Sequence, residues 1–460
     1  MPNWSAAQAG VSGSFMNLFR QLSRRADAGK PIRVGVIGGG KFGTMFLAQA
    51  RLTPGLQVLG VADLQPARAR SSMQSAGWPE QQLDAPDFGA ALSSGRTHVT
   101  DDAMALIGAS GLDVLVEATG DPRAGVRHAL AAIEQGRHLV MVNVETDVLV
   151  GPLLAAQAMK AGLVYSLAYG DQPALISELV DWARAAGFEV VCAGKGTRYL
   201  PHFHQSTPAT VWDNFGITPA EAAAAGMNPK MFNSFVDGTK SAIEMCAVVN
   251  ATGLEPQERG LSFFPCGTHD LPTVLRPASM GGQLEREGTV EVISDRERDG
   301  RQVHNDLRQG VYVTFRAPTA YAAACFAQYG VTIDPSGEIA ALWRPFHLIG
   351  LELGISVASA ALRGEPTGCP QAFRADVVAT AKRDLAAGEI LDGEGGETVW
   401  GRLMPAAAAL AEDGLPIALA HDVRLLRPVA AGARVSMADV RLDEAEQAVA
   451  LRRSLVQSVS

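Results

Sequence analysis

Five side chains stand where their types and spacing suggest chemistry: Lys195, Asp237, Lys240, Glu244 and His347. Lys195 lies between Gly194 and Gly196, straight after the strand-like run "FEVVCAG" (188–194), where an ammonium can polarise a carbonyl or hold an anionic oxygen. A surface lysine in a flexible turn is the alternative. In "NSFVDGTKSAIEM" (233–245) a helical reading puts Asn233, Asp237, Lys240 and Glu244 at i, i+4, i+7 and i+11, one polar stripe in a segment otherwise rich in apolar residues. Such a stripe suits a substrate pocket, and equally a solvated face laced with ion pairs. If Asp237-Gly238 begins the helix instead, the stripe narrows to Lys240 and Glu244. "LWRPFHLIGLELG" (342–354) places Arg344, His347 and Glu352 at the start of an apolar helix running to about Leu362. The guanidinium suits a phosphate or carboxylate and the imidazole a proton, with core or capping roles as the alternative. His202 and His204 alternate as on a strand and, with Asp213 or Glu244, form a candidate set for a divalent metal such as Mg or Mn; loop histidines are the simpler reading.

The elements that must position these groups begin with "GVIGGGKFGTMF" (35–46). A β-branched run, "IRVGVI" (32–37), precedes the glycines, and Phe42, Met45, Phe46 and Ala50 follow at helical spacing. Strand, glycine turn and helix in that order make a dinucleotide site: Gly38 for the turn, Gly40 for approach of a pyrophosphate, Gly43 for close packing, with Lys41 and Phe42 opening the helix. A second strand, "QVLGVA" (57–62), ends in Asp63, placed to accept hydrogen bonds from a ribose. That carboxylate favours NAD, while Arg68 and Arg70 nearby suit the 2′-phosphate of NADP, so either cofactor is expected.

Strand-like and helix-like runs then alternate through "LDVLVEA", "AGVRHALAAIEQG", "HLVMVN", "GPLLAAQAMKAG", "LVYSLA", "QPALISELVDWARAAG" and "FEVVCAG". This predicts an α/β chain with an N-terminal Rossmann-type, doubly wound parallel sheet whose ligands bind at the carboxyl ends of its strands. The loops there are "VEATGDP" (116–122), "VNVETD" (142–147), "AYGDQP" (168–173) and "GKGTRYLPHFH" (194–204). Thr119 and Gly120 in the first are expected on the cofactor, Asn143 and Glu145 in the second on the substrate. Further on, "GTVEVIS" (288–294) and "GVYVTFRA" (310–317) alternate as half-buried strands of a central α+β domain that could also pair subunits.

These motifs resemble a known family. "VGVIGGGKFG", "VEATG" and a strand ending in Asn143 resemble the nucleotide-binding domain of homoserine dehydrogenases. "VNVETDVLVG", "AYGDQPALISELVDWAR", "GKGT", "FVDGTKSAIEM" and "WRPFHLIGLELG" are similar to the family of deoxyxylulose-phosphate-reductoisomerase-like proteins, over most of residues 15–450. The resemblance implies a homoserine-dehydrogenase-like cofactor domain and a C-terminal SAF-type (β-clip) module, matched by "ATAKRDLAAGEIL" and "LLRPVAAGARVSMADVRL". It also implies that Asp237 and Lys240 correspond to the aspartate and lysine of homoserine dehydrogenases. Where those enzymes carry a lysine after the asparagine this chain has Val144 and then Glu145, which implies a ligand other than homoserine.

A chain of 460 residues exceeds the roughly 250–300 that a single core supports. The expected division is a helical extension over 1–30, a dinucleotide-binding domain over 31–194, a substrate domain over 195–375 and a small β-rich module over 376–460. A net charge of −9 without long basic runs argues against nucleic acid, and no apolar run reaches the roughly 18 residues of a membrane helix. Five scattered cysteines without a Cys-x-x-Cys fit a reducing cytoplasm. The expected activity is that of an NAD(P)-dependent oxidoreductase acting on a small polyhydroxylated, anionic substrate, in a homo-oligomer (dimer or tetramer). The resemblance adds a reductoisomerase of the 1-deoxy-D-xylulose 5-phosphate type. A sugar-acid or polyol dehydrogenase without isomerisation and a non-catalytic dinucleotide-binding sensor are the alternatives.

Overall fold

The computed structural model describes residues 17–459. Its first sheet is built from β1 (Ile32–Ile37), β2 (Leu56–Ala62), β3 (His98–Thr100), β4 (Val114–Glu117), β5 (His138–Met141) and β6 (Tyr165–Leu167), in the order β3-β2-β1-β4-β5-β6 and parallel throughout. Both faces are buried, as parallel sheets require, and residues along each strand serve alternate faces. Val34, Val36, Val114, Val116 and Val140 join one core, whereas Leu59, Leu115, Leu139 and Met141 join the other. Eight helices belong to this part of the chain: α1 (Leu18–Asp27), α2 (Lys41–Ala50), α3 (Pro66–Ser75), α4 (Phe88–Ser94), α5 (Ala103–Ile107), α6 (Pro122–Glu134), α7 (Val144–Lys160) and α8 (Gln172–Ala185). α1 starts where Asn17 accepts the amide of Arg20, and the part of the expected extension before Asn17 lies outside the described residues.

The strand expected at 188–194 does not extend this sheet. The free edge of β6 is already taken: Leu167 N donates to Gly368 O and Thr367 N to Ser166 Oγ. β7 (Glu189–Thr197) instead runs through the middle of a second, mixed sheet, parallel to β9 (Thr289–Ser294) and antiparallel to β10 (Val311–Arg316). β8 (Phe264–Pro265), β11 (Thr332–Ile333) and β12 (Ile339–Arg344) complete the order β11-β12-β10-β7-β9-β8. Its helices are α9 (Val211–Phe215), α10 (Pro219–Ala224), α11 (Pro229–Val236), α12 (Thr239–Thr252), α13 (Leu271–Val274) and α14 (Ala320–Gln328). The chain then returns to the first sheet: α15 (Gly354–Arg363), with Leu353, Val357 and Ala358, closes the valine face of β1, β4 and β5.

The C-terminal part is β-rich, as expected, although nothing in it identifies the SAF type. β13 (Ala375–Ala381) pairs antiparallel with β15 (Val399–Pro405), while β14 (Ile390–Asp392), β16 (His421–Leu425) and β17 (Val440–Arg441) form a three-stranded sheet. α16 (Ala406–Ala411) and α17 (Gln447–Val459) complete it. α17 packs on α6 and α7, and its buried Arg452 pairs with Asp376 and donates to Leu149 O, so the C-terminal part is tied to the helices of the first sheet. All five cysteines are free, and among the described residues no helix is long and apolar enough to cross a membrane.

Candidate active site

The glycine turn has the shape its sequence requires. A Cβ on Gly43 would lie 2.0 Å from Gly38 O, so only glycine lets α2 start this close to β1. Asp63 closes the turn from the end of β2: one carboxylate oxygen accepts Gly39 N at 2.8 Å, the other Gln65 N at 2.8 Å, and Arg68 bonds it at 3.2 Å. The helices α4 to α8 are each capped by the side chain of an Asp or Asn, namely Asp87, Asp102, Asp121, Asn143 and Asp171. α2 has no side-chain cap, and the space beside Gly40 is open, so its first amides are left for an anion. These residues fit a dinucleotide pyrophosphate.

A cavity of about 340 Å³ lies between the start of α2 and the second sheet. Lys41, Phe42 and Met45 of α2 form one wall, and Lys195, Lys240 and Glu244 face them from β7 and α12. Lys41 reaches across, its Nζ 5.7 Å from the centre of the Phe232 ring on α11.

Lys195 is a strand residue and not a loop residue. It sits between Val311 of β10 and Val292 of β9 in register, 5% exposed. Its flanking glycines serve close approach: a Cβ on Gly194 would meet Glu291 O at 1.8 Å, and one on Gly196 would meet Leu307 O at 2.0 Å. Strand alternation puts Lys195 on the face of Ala193, opposite Cys192, and so toward the cavity. There its ammonium pairs with Glu244 and donates to Gln172 Oε1 at 3.0 Å.

The predicted polar stripe is broken in the middle. Gly238, at φ +87°, ends α11 and starts α12, so the four residues do not share one helix face. Lys240 and Glu244, one turn apart on α12, face the cavity, and Lys240 pairs with Glu145 from the first turn of α7. Asn233 and Asp237 turn the other way: the amide of Asn233 donates to Ser206 O at 3.0 Å and Gly395 O at 2.9 Å, and the carboxylate of Asp237 pairs with Lys382 of the C-terminal module at 2.7 Å. Both hold α11 to the C-terminal β-rich part and do not line the cavity.

Burial works against the charge of Lys240, but Glu145, with Glu394 and Glu244 behind it, outweighs burial and holds its pKa above the ordinary lysine value. Asp171 also lines the cavity; burial, and then the charge of Glu244, push its carboxyl up to about 7. A carboxyl group in that range is suited to exchanging protons near neutrality. His347 lines the cavity, with Nδ1 2.8 Å from Gln309 O. That bond fixes the proton of the neutral ring on Nδ1, and burial keeps the ring below its usual pKa.

Several expected site residues act as scaffold. Asn143 caps α7, accepting Thr146 N at 3.1 Å, and its amide holds Asp121 O at 2.9 Å and Thr119 Oγ1 at 3.3 Å. Thr119 in turn donates to Glu117 at 2.6 Å, and Gly120 lies beyond it at φ +72°. Arg344 ends strand β12 instead of opening a helix; it pairs with Glu352 at 2.5 Å and stays outside the cavity, and the helix that follows starts only at Gly354. His202 and His204 lie in a tight turn, Pro201–Gln205, and not on a strand. His204 stacks on Trp400 at 3.9 Å and bonds Tyr199 Oη at 2.9 Å, while Glu244 is held by Lys195, so the suggested metal set does not assemble. Among the described residues no group of three or more His, Cys, Asp or Glu is disposed to hold a metal ion.

Among the lining residues that the sequence reading did not single out, four are suited to binding or proton transfer: Asp171, Gln172, Arg198 and Arg308. Asp171 and Gln172 sit in "AYGDQP", where Asp followed by Gln-Pro marks a helix cap at a strand end, the one usable signal. Arg198 and Arg308 come from loops without a pattern and meet at Asp295. Arg198 donates to Phe215 O at 2.7 Å, and Arg308 lies 5.3 Å from the centre of the Phe215 ring. With Arg296 also on Asp295, this end of the cavity carries surplus positive charge.

Residues 170–353, which include Asp171, Lys195, Lys240, Glu244 and His347, match the family model described as oxidoreductase DRL, catalytic domain. No curated protein matches the chain. Among solved structures it is similar to a probable dehydrogenase from Thermotoga maritima, 13% identical with a TM-score of 0.37, over 73% of this chain and 90% of that one. It is also similar to a putative myo-inositol dehydrogenase from Sinorhizobium meliloti 1021 (11% identity, TM-score 0.35, 73% and 90% of the two chains). A third is scyllo-inositol dehydrogenase from Lactobacillus casei with bound NAD(H) and scyllo-inositol (12% identity, TM-score 0.34, 68% and 76%). At these scores the structural likenesses are partial and assign neither substrate nor stereochemistry to this chain. The catalytic-domain match covers most of the residues that line the cavity and marks the chain as an oxidoreductase.

Proposed function

We propose that this protein transfers hydride between NAD(P) and a small polyhydroxylated substrate bearing an anionic group. The observation that carries this reading is a single cavity lined by Lys41, Phe42 and Met45 of α2, the helix that follows the glycine turn, together with Lys195, Lys240, Glu244 and Asp171. Bound there, the nicotinamide supplies or accepts the hydride. Lys195 has three N–H donors and spends two on Glu244 and Gln172, which leaves one for a carbonyl or alkoxide oxygen. Asp171 is the proton acceptor when an alcohol is oxidised and the donor in the reverse direction. Lys240 holds a neighbouring hydroxyl or acid group, and Arg198 and Arg308 receive the anionic end. The unprotonated Nε2 of a neutral His347 accepts a hydrogen bond from a substrate hydroxyl.

Arg68 beside Asp63 fits both cofactors: the carboxylate bonds ribose hydroxyls, and the guanidinium takes a 2′-phosphate. A second reading, in which a skeletal rearrangement of the 1-deoxy-D-xylulose 5-phosphate type precedes reduction, draws on the presence of two lysine–carboxylate pairs in one cavity.

The test is a fluorescence titration with NADH and NADPH, followed by a turnover screen of polyols, sugar acids and their phosphates with product analysis. Nicotinamide binding and turnover that collapses in Lys195→Ala are expected. A chain that binds neither cofactor, or a Lys195→Ala variant with normal turnover, overturns the reading. A product with a rearranged carbon skeleton selects the reductoisomerase.

A further inference from the structure

The first turn of α12 stands between two cavities. Lys240 and Glu244 line the active-site cavity, whereas Gly238 and Ala242 line another of about 240 Å³. Ala242 is two residues from either reactive side chain, about 200° round the helix, so the cavities take opposite sides of the same turn. β15 of the C-terminal part supplies the far wall of the smaller cavity with Trp400 and Arg402, and the loop before β8 closes it with Arg259, Leu261 and Phe263.

This lining suits an anion. Two guanidiniums and no carboxylate are among the described residues that form it. Arg402 is half-buried and makes no ion pair among the described residues; its guanidinium donates to Arg259 O at 3.0 Å. Glu412, which offsets its charge in part, is held at both oxygens by Arg434. Arg259 stands exposed at the mouth, 3.4 Å from Glu285. A half-buried cation without a partner is costly, and a guanidinium fork meets a phosphate or carboxylate with two parallel hydrogen bonds.

The remaining wall is aromatic and fixed in place. His204 stacks on Trp400, and Phe263 stacks on Tyr199 at 4.0 Å. Phe263 has φ +52°, a left-handed conformation that bulky residues rarely adopt, and Glu291 keeps it there by accepting Ser262 N at 3.0 Å and Phe263 N at 3.3 Å. The cavity is also joined to the reactive side of α12. Gly401 N donates to Thr239 Oγ1 at 2.9 Å, and His204 Nδ1 lies 2.7 Å from Asp237 O, where α11 ends.

We propose that this cavity is a regulatory site for a small organic anion, a phosphate monoester or a carboxylate, gripped by Arg402 and Arg259. A bound anion ties β15 and the loop before β8 to the first turn of α12 and so fixes the direction in which Lys240 meets substrate. That coupling rests on the reading of Lys240 as a substrate contact; the site itself does not.

The experiment titrates the full-length chain with inorganic phosphate, glycerol 3-phosphate and citrate, read by calorimetry and by tryptophan emission. Binding is expected, with an emission change that disappears in Trp400→Phe, and Arg402→Gln should weaken it about tenfold. Arg259→Gln, a change at an exposed position, should weaken it as well and serves if Arg402→Gln fails to fold. Arg198→Gln, which removes a cation from the active-site cavity, should leave it unchanged. Preference for the two phosphates over citrate identifies a phosphate ligand, and the reverse order a carboxylate. No binding of any probe, or binding lost in Arg198→Gln and kept in Arg402→Gln, overturns the proposal. In turnover assays a saturating probe should lower KM about fivefold in the wild type and not in Arg402→Gln; an unchanged or raised wild-type KM overturns the coupling. The binding arms need no turnover, so a chain that binds a probe here but no nicotinamide keeps this site and loses the oxidoreductase reading.

Discussion

At the scale of single residues, the candidate site depends on two lysines, each paired with a buried carboxylate. Replacing Lys195 by Ala removes the one N–H available to a reacting oxygen and leaves Glu244 buried without its cation. We expect kcat to fall about 10²–10³-fold, the usual cost of deleting a preorganised donor, with nicotinamide affinity little changed; steady-state kinetics beside an NADH titration check this. Asp171 predicts a second effect. Its carboxyl titrates at about 7, so the oxidation rate should rise through that pH as the base is unmasked, and Asp171→Asn should abolish the limb and cost about 10²-fold. A profile for Asp171→Asn with the limb intact removes Asp171 from proton transfer. Arg68 governs cofactor choice on the same scale: Arg68→Ala should weaken NADPH about tenfold more than NADH, roughly 1.4 kcal/mol, read as the ratio of two Kd values.

At the scale of elements, the break between α11 and α12 decides which polar side chains meet the substrate. Gly238 takes a left-handed conformation there, and a Cβ on it would stand 3.2 Å from both His204 Cε1 and Phe263 Cζ. Gly238→Ala should cost about 1–2 kcal/mol for the left-handed strain alone. Because the start of α12 sets the direction of Lys240 and Glu244, KM should rise along with the loss of stability, which urea melts and kinetics on the same preparation will show. Unchanged KM at reduced stability would mean that the break is structural only. β7 is the second decisive element, since it carries Lys195 to the cavity from the middle of the second sheet and Arg198 follows directly from its end.

At the scale of the whole molecule, buried ionisable groups link stability to pH. Asp147 and Glu291 are raised to about 7, chiefly by burial, and Asp171 and Glu394 to about 7 and 8. A carboxyl whose folded pKa lies above its unfolded value stabilises fully below the unfolded value, and that contribution is lost as pH rises through the folded one. Half-buried His138, His204, His347 and His421 are lowered, so their contribution is complete above the unfolded value near 6.5 and is lost as pH falls through the folded values. Between pH 6.5 and 8 only the carboxyls act, and the melting temperature should decline, then level off. Asp147 is the cleanest single test: one oxygen accepts from Tyr165 Oη at 2.9 Å and the other has no partner. Asp147→Asn should flatten part of the decline, and an unaltered slope would show that Asp147 does not titrate there.

The sequence by itself determined the first sheet and its phosphate-binding turn, because each is a local pattern. Alternating apolar runs, a glycine turn and a carboxylate at the end of β2 are all set within about thirty residues, and the strands from Ile32 to Leu167 fall where they are expected apart from the short β3. It also brought Lys195, Lys240, Glu244 and His347 forward as reactive, and all four line the cavity. Only the tertiary structure decided that β7 leaves the first sheet, since the edge of β6 is sealed by residues two hundred positions later. It alone paired Lys195 with Glu244 and Lys240 with Glu145, turned Asn233 and Asp237 away from the cavity, and brought in Asp171, Arg198 and Arg308. The physical reason is range: backbone conformation follows from neighbours in sequence, whereas the charge of a buried lysine follows from whichever carboxylates folding places against it.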